Sequence, residues 1–177
     1  MRIRIRSLAA FQVLVLLLSG SLTPSVAKAF EIRAGQSWIE QGDYLLHPGV
    51  QLTAATKDNK SLRFEFSGRT FGRFTQSTSI LSLNLPYEVL PWKEVYTTYG
   101  FSLMDEYTAY NSKQGEDESI HAFNAGLNLG IGYKIYDHGG FNARLEWNSH
   151  IFAAGLAFIF MTTARKTVFS ATVGYEL

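Results

Sequence analysis

The residues richest in chemistry lie close together near position 150. Glu146, Ser149 and His150 bring a carboxylate, a hydroxyl and an imidazole into one short stretch, and these are the groups a serine hydrolase uses as orienting acid, nucleophile and base. Whether they can meet depends on the element that carries them. On an extended strand successive side chains alternate between faces, so Ser149 and His150 point to opposite sides. The spacing fits a polar strand end better than a triad. No catalytic residue is assigned, and Ser149, His150 and Glu146 remain the residues to test. The other histidines, His47, His121 and His138, stand far apart in sequence. None forms the HxxxH or H-x-E spacing from which a zinc site is argued, so neither a metal nor another cofactor is expected. Gly126, Gly130 and Gly132 lie inside an alternating run, where glycine permits close packing or bending of a sheet rather than phosphate binding.

The elements that would position these groups are strands. Phe123, Ala125, Leu127, Leu129, Ile131, Tyr133 and Ile135 interleave with Asn124, Gly126, Asn128, Gly130, Gly132 and Lys134, a period of two that marks a strand with different surroundings on its two faces. Leu62, Phe64 and Phe66 alternate with Ser61, Arg63, Glu65 and Ser67 in the same manner. So do Phe141, Ala143, Leu145 and Trp147 with Asn142, Arg144, Glu146 and Asn148. Leu81, Leu83 and Leu85 continue the rule, as do Val95, Tyr99, Phe101 and Leu103.

Turn signals fall at Lys57 to Lys60, Pro86 to Pro91, the acidic stretch Lys113 to Ser119, Asp137 to Gly140, and Thr163 to Lys166. They divide the chain into candidate strands at about 30–39, 48–57, 60–70, 74–86, 92–108, 119–136, 140–149, 151–163 and 167–177. Bacterial single-chain barrels have even strand counts, so one of these nine is surplus. Either the first segment is not a full span, or Phe141 to Thr163 is one long strand. Alternation cannot arbitrate over Ile151 to Met161, which is apolar on both faces. Eight strands are expected, with ten as the alternative.

Arg2, Arg4 and Arg6 precede an apolar run from Leu8 to Leu18, and Ala27-Lys28-Ala29 follows. This is the tripartite pattern of a cleaved signal peptide, too short for a helical span of about 20 residues. Residues 1–29 are therefore read as a leader and 30–177 as one domain. The leader holds four of the 16 basic residues and none of the 15 acidic ones, so the mature part carries 12 minus 15, a net charge of −3. No basic patch remains for nucleic acid. With no cysteine in the chain, neither disulfides nor thiolate ligands contribute.

Alternation alone does not tell a membrane barrel from a soluble one, because both have one apolar and one polar face. Here the polar face is made of Gly, Asn, Ser and Thr with isolated opposite charges, Arg63 with Glu65 and Arg144 with Glu146. Small residues and paired charges suit a crowded interior, which turns the apolar face to lipid. Trp38, Tyr87, Trp92, Tyr96, Tyr107, Tyr110, Tyr133, Tyr136, Trp147 and Tyr175 fall near strand ends, as girdle residues do. Phe169, Ala171, Val173, Tyr175 and Leu177 alternate up to the last residue. This ending resembles the terminal strand of outer-membrane β-barrel proteins, which most often close with Phe; here Leu177 stands in that place and Tyr175 two positions before it.

The resemblance extends to the architecture of the whole mature chain, closest to the OmpA-like and OmpX-like barrels. It implies an all-β, antiparallel, up-and-down transmembrane barrel in the outer membrane of a Gram-negative cell. Its partners would be lipid, lipopolysaccharide and the barrel-assembly machinery, which would read Phe169, Val173, Tyr175 and Leu177; a monomer is expected. Arg63, Glu65, Arg144 and Glu146, together with Arg33, Arg69, Glu94, Lys134 and Glu176, are expected as lumen charges. They would form a sealed plug in preference to a porin-like path, because side chains nearly fill an eight-stranded bore. A structural or surface-interaction role is the first functional reading. The second is a lipid-modifying enzyme, as some small outer-membrane barrels are lipid A deacylases or acyltransferases, although those deacylases place His two residues before Ser. The third is a soluble periplasmic, lipocalin-like lipid binder.

Overall fold

A computed structural model describes residues 30–40, 45–56, 60–87, 92, 94–111, 117–153 and 163–177. The leader 1–29 and much of the turn and loop sequence, including 57–59, 88–91 and 113–116, lie outside the described residues. Eight strands follow in order: β1 (Phe30–Glu40), β2 (Leu46–Thr56), β3 (Ser61–Phe71), β4 (Phe74–Tyr87), β5 (Val95–Asn111), β6 (Asp117–His138), β7 (Phe141–Ala153) and β8 (Thr163–Glu176). Each pairs antiparallel with its chain neighbour, and β1 pairs with β8 to close the barrel.

Among the described residues no ninth strand stands between β7 and β8, which pair directly. Residues 151–153 finish β7 and residue 163 opens β8, while 154–162 lie outside the described residues. Neither way of removing the surplus holds: 30–40 is a full strand, and Phe141 to Thr163 is not one strand, because Ala153 on β7 pairs antiparallel with Thr163 on β8. Thr163 to Lys166, read as a turn from its polar residues, starts β8, where pairing to Ala153 through His150 satisfies its backbone. Asp137 and His138 likewise stay in β6, and the turn contracts to Gly139 and Gly140. Both have positive φ, 63° and 82°, which only glycine adopts without a steric cost and which suits a two-residue hairpin.

The seam between first and last strands runs from Glu31 opposite Glu176 to Ile39 opposite Val168. Leu177 donates its N–H to the Phe30 carbonyl at 2.7 Å, so the start of β1 and the end of β8 meet at one end of the barrel. On the outside, Trp38 and Phe169 face each other in register with ring centroids 5.6 Å apart, and Phe141 and Tyr175 do so at 4.8 Å.

The distribution of faces inverts that of a water-soluble barrel. Leu83, Phe101, Leu127, Leu129, Ile131, Trp147 and Val173 are all exposed, whereas Arg33, Gln51, Arg63, Glu65, Asn84, Ser102, Asn128, Glu146 and Asn148 are buried. Most polar positions of the strands therefore turn inward and most apolar positions outward, as the small and paired polar positions of the sequence require, while a few apolar side chains of β1, β4, β5, β7 and β8 also face the interior.

Candidate functional site

The interior is built in two layers. Toward the end where β1 begins and β8 finishes, three guanidinium groups meet three carboxylates: Arg33, Arg63 and Arg144 with Glu31, Glu65 and Glu146, all buried. Glu146 is the hub. Its carboxylate takes the Arg63 guanidinium at 2.8 Å and lies 3.7 Å from Arg33. It also accepts the Tyr96 hydroxyl at 2.5 Å and the Gln51 amide at 3.2 Å. Glu31 ties Arg33 at 3.0 Å to Arg144 at 2.8 Å. These contacts link β1, β2, β3, β5 and β7 across the bore. Equal numbers of cations and anions make the burial tolerable, since a buried charge without a partner costs several kcal/mol, roughly 3–5 when one partner is removed.

The pairing differs from that read along the strands. Arg63 lies 3.9 Å from Glu65 but makes its short contact with Glu146, and Arg144 bonds to Glu31 rather than Glu146. Residues two apart on a strand point the same way, and Arg33 does bond Glu31 in that manner, whereas the Arg63 and Arg144 guanidinium groups make their short contacts across the lumen. Glu31 belongs to this set although strand position alone did not single it out. Tyr96, expected in a girdle, is buried inside the lumen. Room for its ring comes from Gly132, where an added Cβ would collide with it, and Arg144 lies over its face at 5.4 Å.

Of the other expected lumen charges, Arg69 is half-buried at the opposite end, bonded to His47 at 2.9 Å and Gln76 at 3.0 Å. Glu94 and Glu176 are exposed, and Lys134 pairs with Asp137 at 3.6 Å near the tip of the β6–β7 hairpin. Phe169, Val173, Tyr175 and Leu177 share the outward face of the barrel's last strand and its terminal residue.

Next to the charged layer lies a chain of neutral donors and acceptors. Ser82 and Ser102 hydroxyls are 2.9 Å apart, Asn128 donates to Ser102 at 2.8 Å, and Ser102 lies 2.9 Å from His150 Nδ1. On its other side His150 Nε2 stands 3.6 Å from Glu65. The order Ser102, His150, Glu65 has the form of a hydrolase triad assembled from β5, β7 and β3. All three residues are at most 1% exposed, so the hydroxyl presents no surface to a substrate. Ser149 takes no part: it faces outward and accepts a hydrogen bond from Arg165 at 3.2 Å. Nothing in the spacing of 65, 102 and 150 announces this grouping, because only barrel closure brings three non-neighbouring strands to one level.

Toward the opposite end of the barrel the bore turns apolar. Ile39, Ile80, Met104, Phe152 and Val168 form one cluster, each fully buried. His150 stacks on Phe152 with centroids 5.9 Å apart and joins the two layers. Beyond this cluster Lys166 on β8 reaches Glu106 on β5 at 2.6 Å, a bar across the mouth.

No family model and no curated protein sequence matches the chain. Among solved structures, the N-terminal β-barrel domain of Pseudomonas aeruginosa OprF is similar with a TM-score of 0.53 at 14% identity, covering 85% of this chain and 98% of that one. Ail, the attachment invasion locus protein of Yersinia pestis, solved in complex with the heparin analogue sucrose octasulfate, is similar at 0.52 and 12% identity, covering 85% and 97%. What the chain shares with these proteins is a fold, the closed eight-stranded antiparallel barrel of small outer-membrane proteins.

Proposed function

We propose that the chain is exported, loses residues 1–29, and resides as a monomer in a Gram-negative outer membrane. There it serves as a non-enzymatic barrel whose lumen is sealed and whose loop end supports envelope structure or surface contacts. The observation that carries this reading is the exposed belt of Leu83, Phe101, Leu127, Leu129, Ile131, Trp147 and Val173 around a polar interior. Soluble proteins rarely expose contiguous apolar patches beyond a few hundred Å², whereas a bilayer needs such a band on every strand. The same belt argues against a soluble lipid carrier, which would turn it inward. Because both termini of an even-stranded barrel lie in the periplasm, the charged layer would sit on that side and the mouth of Lys166, Glu106 and Arg69 would face outward. The ending Phe169, Val173, Tyr175 and Leu177 would be the stretch read by the assembly machinery, with lipid and lipopolysaccharide around the finished wall.

Two stacked layers, one ion-paired and one apolar, support a plug over a pore. Planar bilayers with the purified protein should record no channel; conductance in the nanosiemens range would overturn the plug. Outer-membrane extract run unboiled and boiled should give two mobilities, and a single mobility would overturn the membrane barrel. His150→Ala should leave the lipid A mass spectrum unchanged, since the imidazole is enclosed; an altered acyl pattern would restore the enzyme reading.

A further inference from the structure

Midway along the bore, between the ion-paired layer and the apolar one, the inner wall changes to small side chains. Ser37 stands opposite Ser170 on one side and Gly49 on the other, and Gly49 stands opposite Ser67. That row crosses β8, β1, β2 and β3 with nothing larger than serine. Ser82 and Ser102 pair on β4 and β5, the facing wall. Ordinary side chains just fill the interior of an eight-stranded barrel, so two facing arcs of serine and glycine leave space between them.

Around this level polar atoms outnumber their partners. The hydroxyls of Ser37 and Ser170, the side-chain carbonyls of Gln51 and Asn128, both Glu65 carboxylate oxygens, both ends of the Asn148 amide and His150 Nε2 are buried without a hydrogen-bond partner among the described residues. His150 Nε2 stands 3.6 Å from Glu65, beyond hydrogen-bond reach. These groups are neighbours. Gln51 is opposite Glu65, Asn128 opposite His150, and Ser170 opposite Glu146, with Asn148 between Glu146 and His150 on the inward face of β7. One such atom left without a partner weakens the folding equilibrium by about fivefold or more. The nine together would offset the margin that keeps an ordinary domain folded. Ser37, Gln51, Glu65, Asn148 and His150 are all 0% exposed, which leaves no opening for a large ligand. Water is small enough, and it can donate to the unpartnered oxygens and accept from the Asn148 amide. One ordered water serves about two to four polar atoms, so about three would satisfy the set.

We propose that the middle of the bore binds a small cluster of ordered internal waters that joins Glu65, Gln51 and the Ser37 and Ser170 hydroxyls to Asn148 and His150. The cluster belongs to the polar half of the filling, and the apolar residues beyond it bound it on one side. The inference goes beyond the surface role above and rests on the closed fold alone.

The test takes the mature barrel in bicelles and records paired NOE and ROE spectra from the water resonance, which separate contact with bound water from proton exchange. Cross-peaks are expected at the side-chain amide protons of Asn148 and Asn128, with the sign shown by contacts inside the protein. The Ile80 and Met104 methyls of the apolar cluster should show none. Missing cross-peaks at both amides overturn the proposal on the unaltered protein. Equal cross-peaks at amides and methyls overturn the bounded cluster, because water would then fill the bore throughout. Ser37→Ala with Ser170→Ala gives an independent reading by urea unfolding in liposomes. If the hydroxyls hold water, their loss should lower the folding equilibrium constant by about fivefold or more and weaken the Asn148 cross-peak. If they are dry, removing two unpartnered groups raises it, so a variant as stable as the parent, or more stable, overturns the proposal. Gel mobility before and after boiling accompanies both samples. A single mobility in the unaltered protein removes the membrane reading, while the water cross-peaks still decide the cluster.

Discussion

The lower and upper layers of the same bore solve one packing problem with opposite chemistry. Below, Arg33, Arg63 and Arg144 with Glu31, Glu65 and Glu146 fill the space with long charged side chains, paired within β1 and across to other strands. Above, Ile39, Ile80, Met104, Phe152 and Val168 fill it with apolar side chains that need contact but no partner. The difference lies in what a single change does. Removing one charge strands the others in a buried site, while removing one apolar group leaves a cavity whose cost depends on how far its neighbours relax.

That contrast is most sharply broken at Glu146. Glu146→Ala leaves Arg63 and Arg33 facing each other with less counter-charge, and urea unfolding in liposomes should register a loss of about 3–5 kcal/mol. The double change Arg63→Met with Glu146→Leu should recover most of it, because an apolar pair of similar volume carries no stranded charge. If the double variant is as unstable as the single one, the lower layer acts by more than charge balance. Phe152→Ala, in the upper layer, should cost about 3 kcal/mol, with no single partner change able to restore it. At the boundary, Ser102→Ala removes one acceptor from Asn128 and one contact from His150. The same unfolding assay should read about 1–2 kcal/mol. Arg165→Ala, outside the bore, breaks an exposed contact to Ser149 and should change stability by no more than about 0.5 kcal/mol. A cost as large as that of Ser102→Ala would mean that the outer wall, not the filling, governs stability.

Much of the barrel could be read along the chain because its cause is local. Phe123 to Ile135 alternates strictly, and β6 runs through all of it. The Gly139-Gly140 pair stops one strand and begins the next because both residues adopt positive φ. Where local signals failed, a longer-range constraint acted. Thr163 to Lys166 has turn composition, yet pairing with β7 draws it into β8. Tyr96 has the composition of a girdle residue but sits inside, where Gly132 leaves a gap on the adjacent strand and Glu146 takes its proton-donating hydroxyl.

By itself the sequence determined that the chain forms strands, which residues share a face, and that one face is apolar and the other polar, because a period of two is a property of each strand alone. The tertiary structure decided everything that joins strands distant in sequence. It chose Glu31 over Glu146 as the partner of Arg144, set Ser102, His150 and Glu65 in line within a closed interior, and stacked an apolar layer on a charged one. The physical reason is that alternation states only inward or outward. The register of eight strands around a closed circle determines the height at which each inward side chain arrives, and therefore which others it meets.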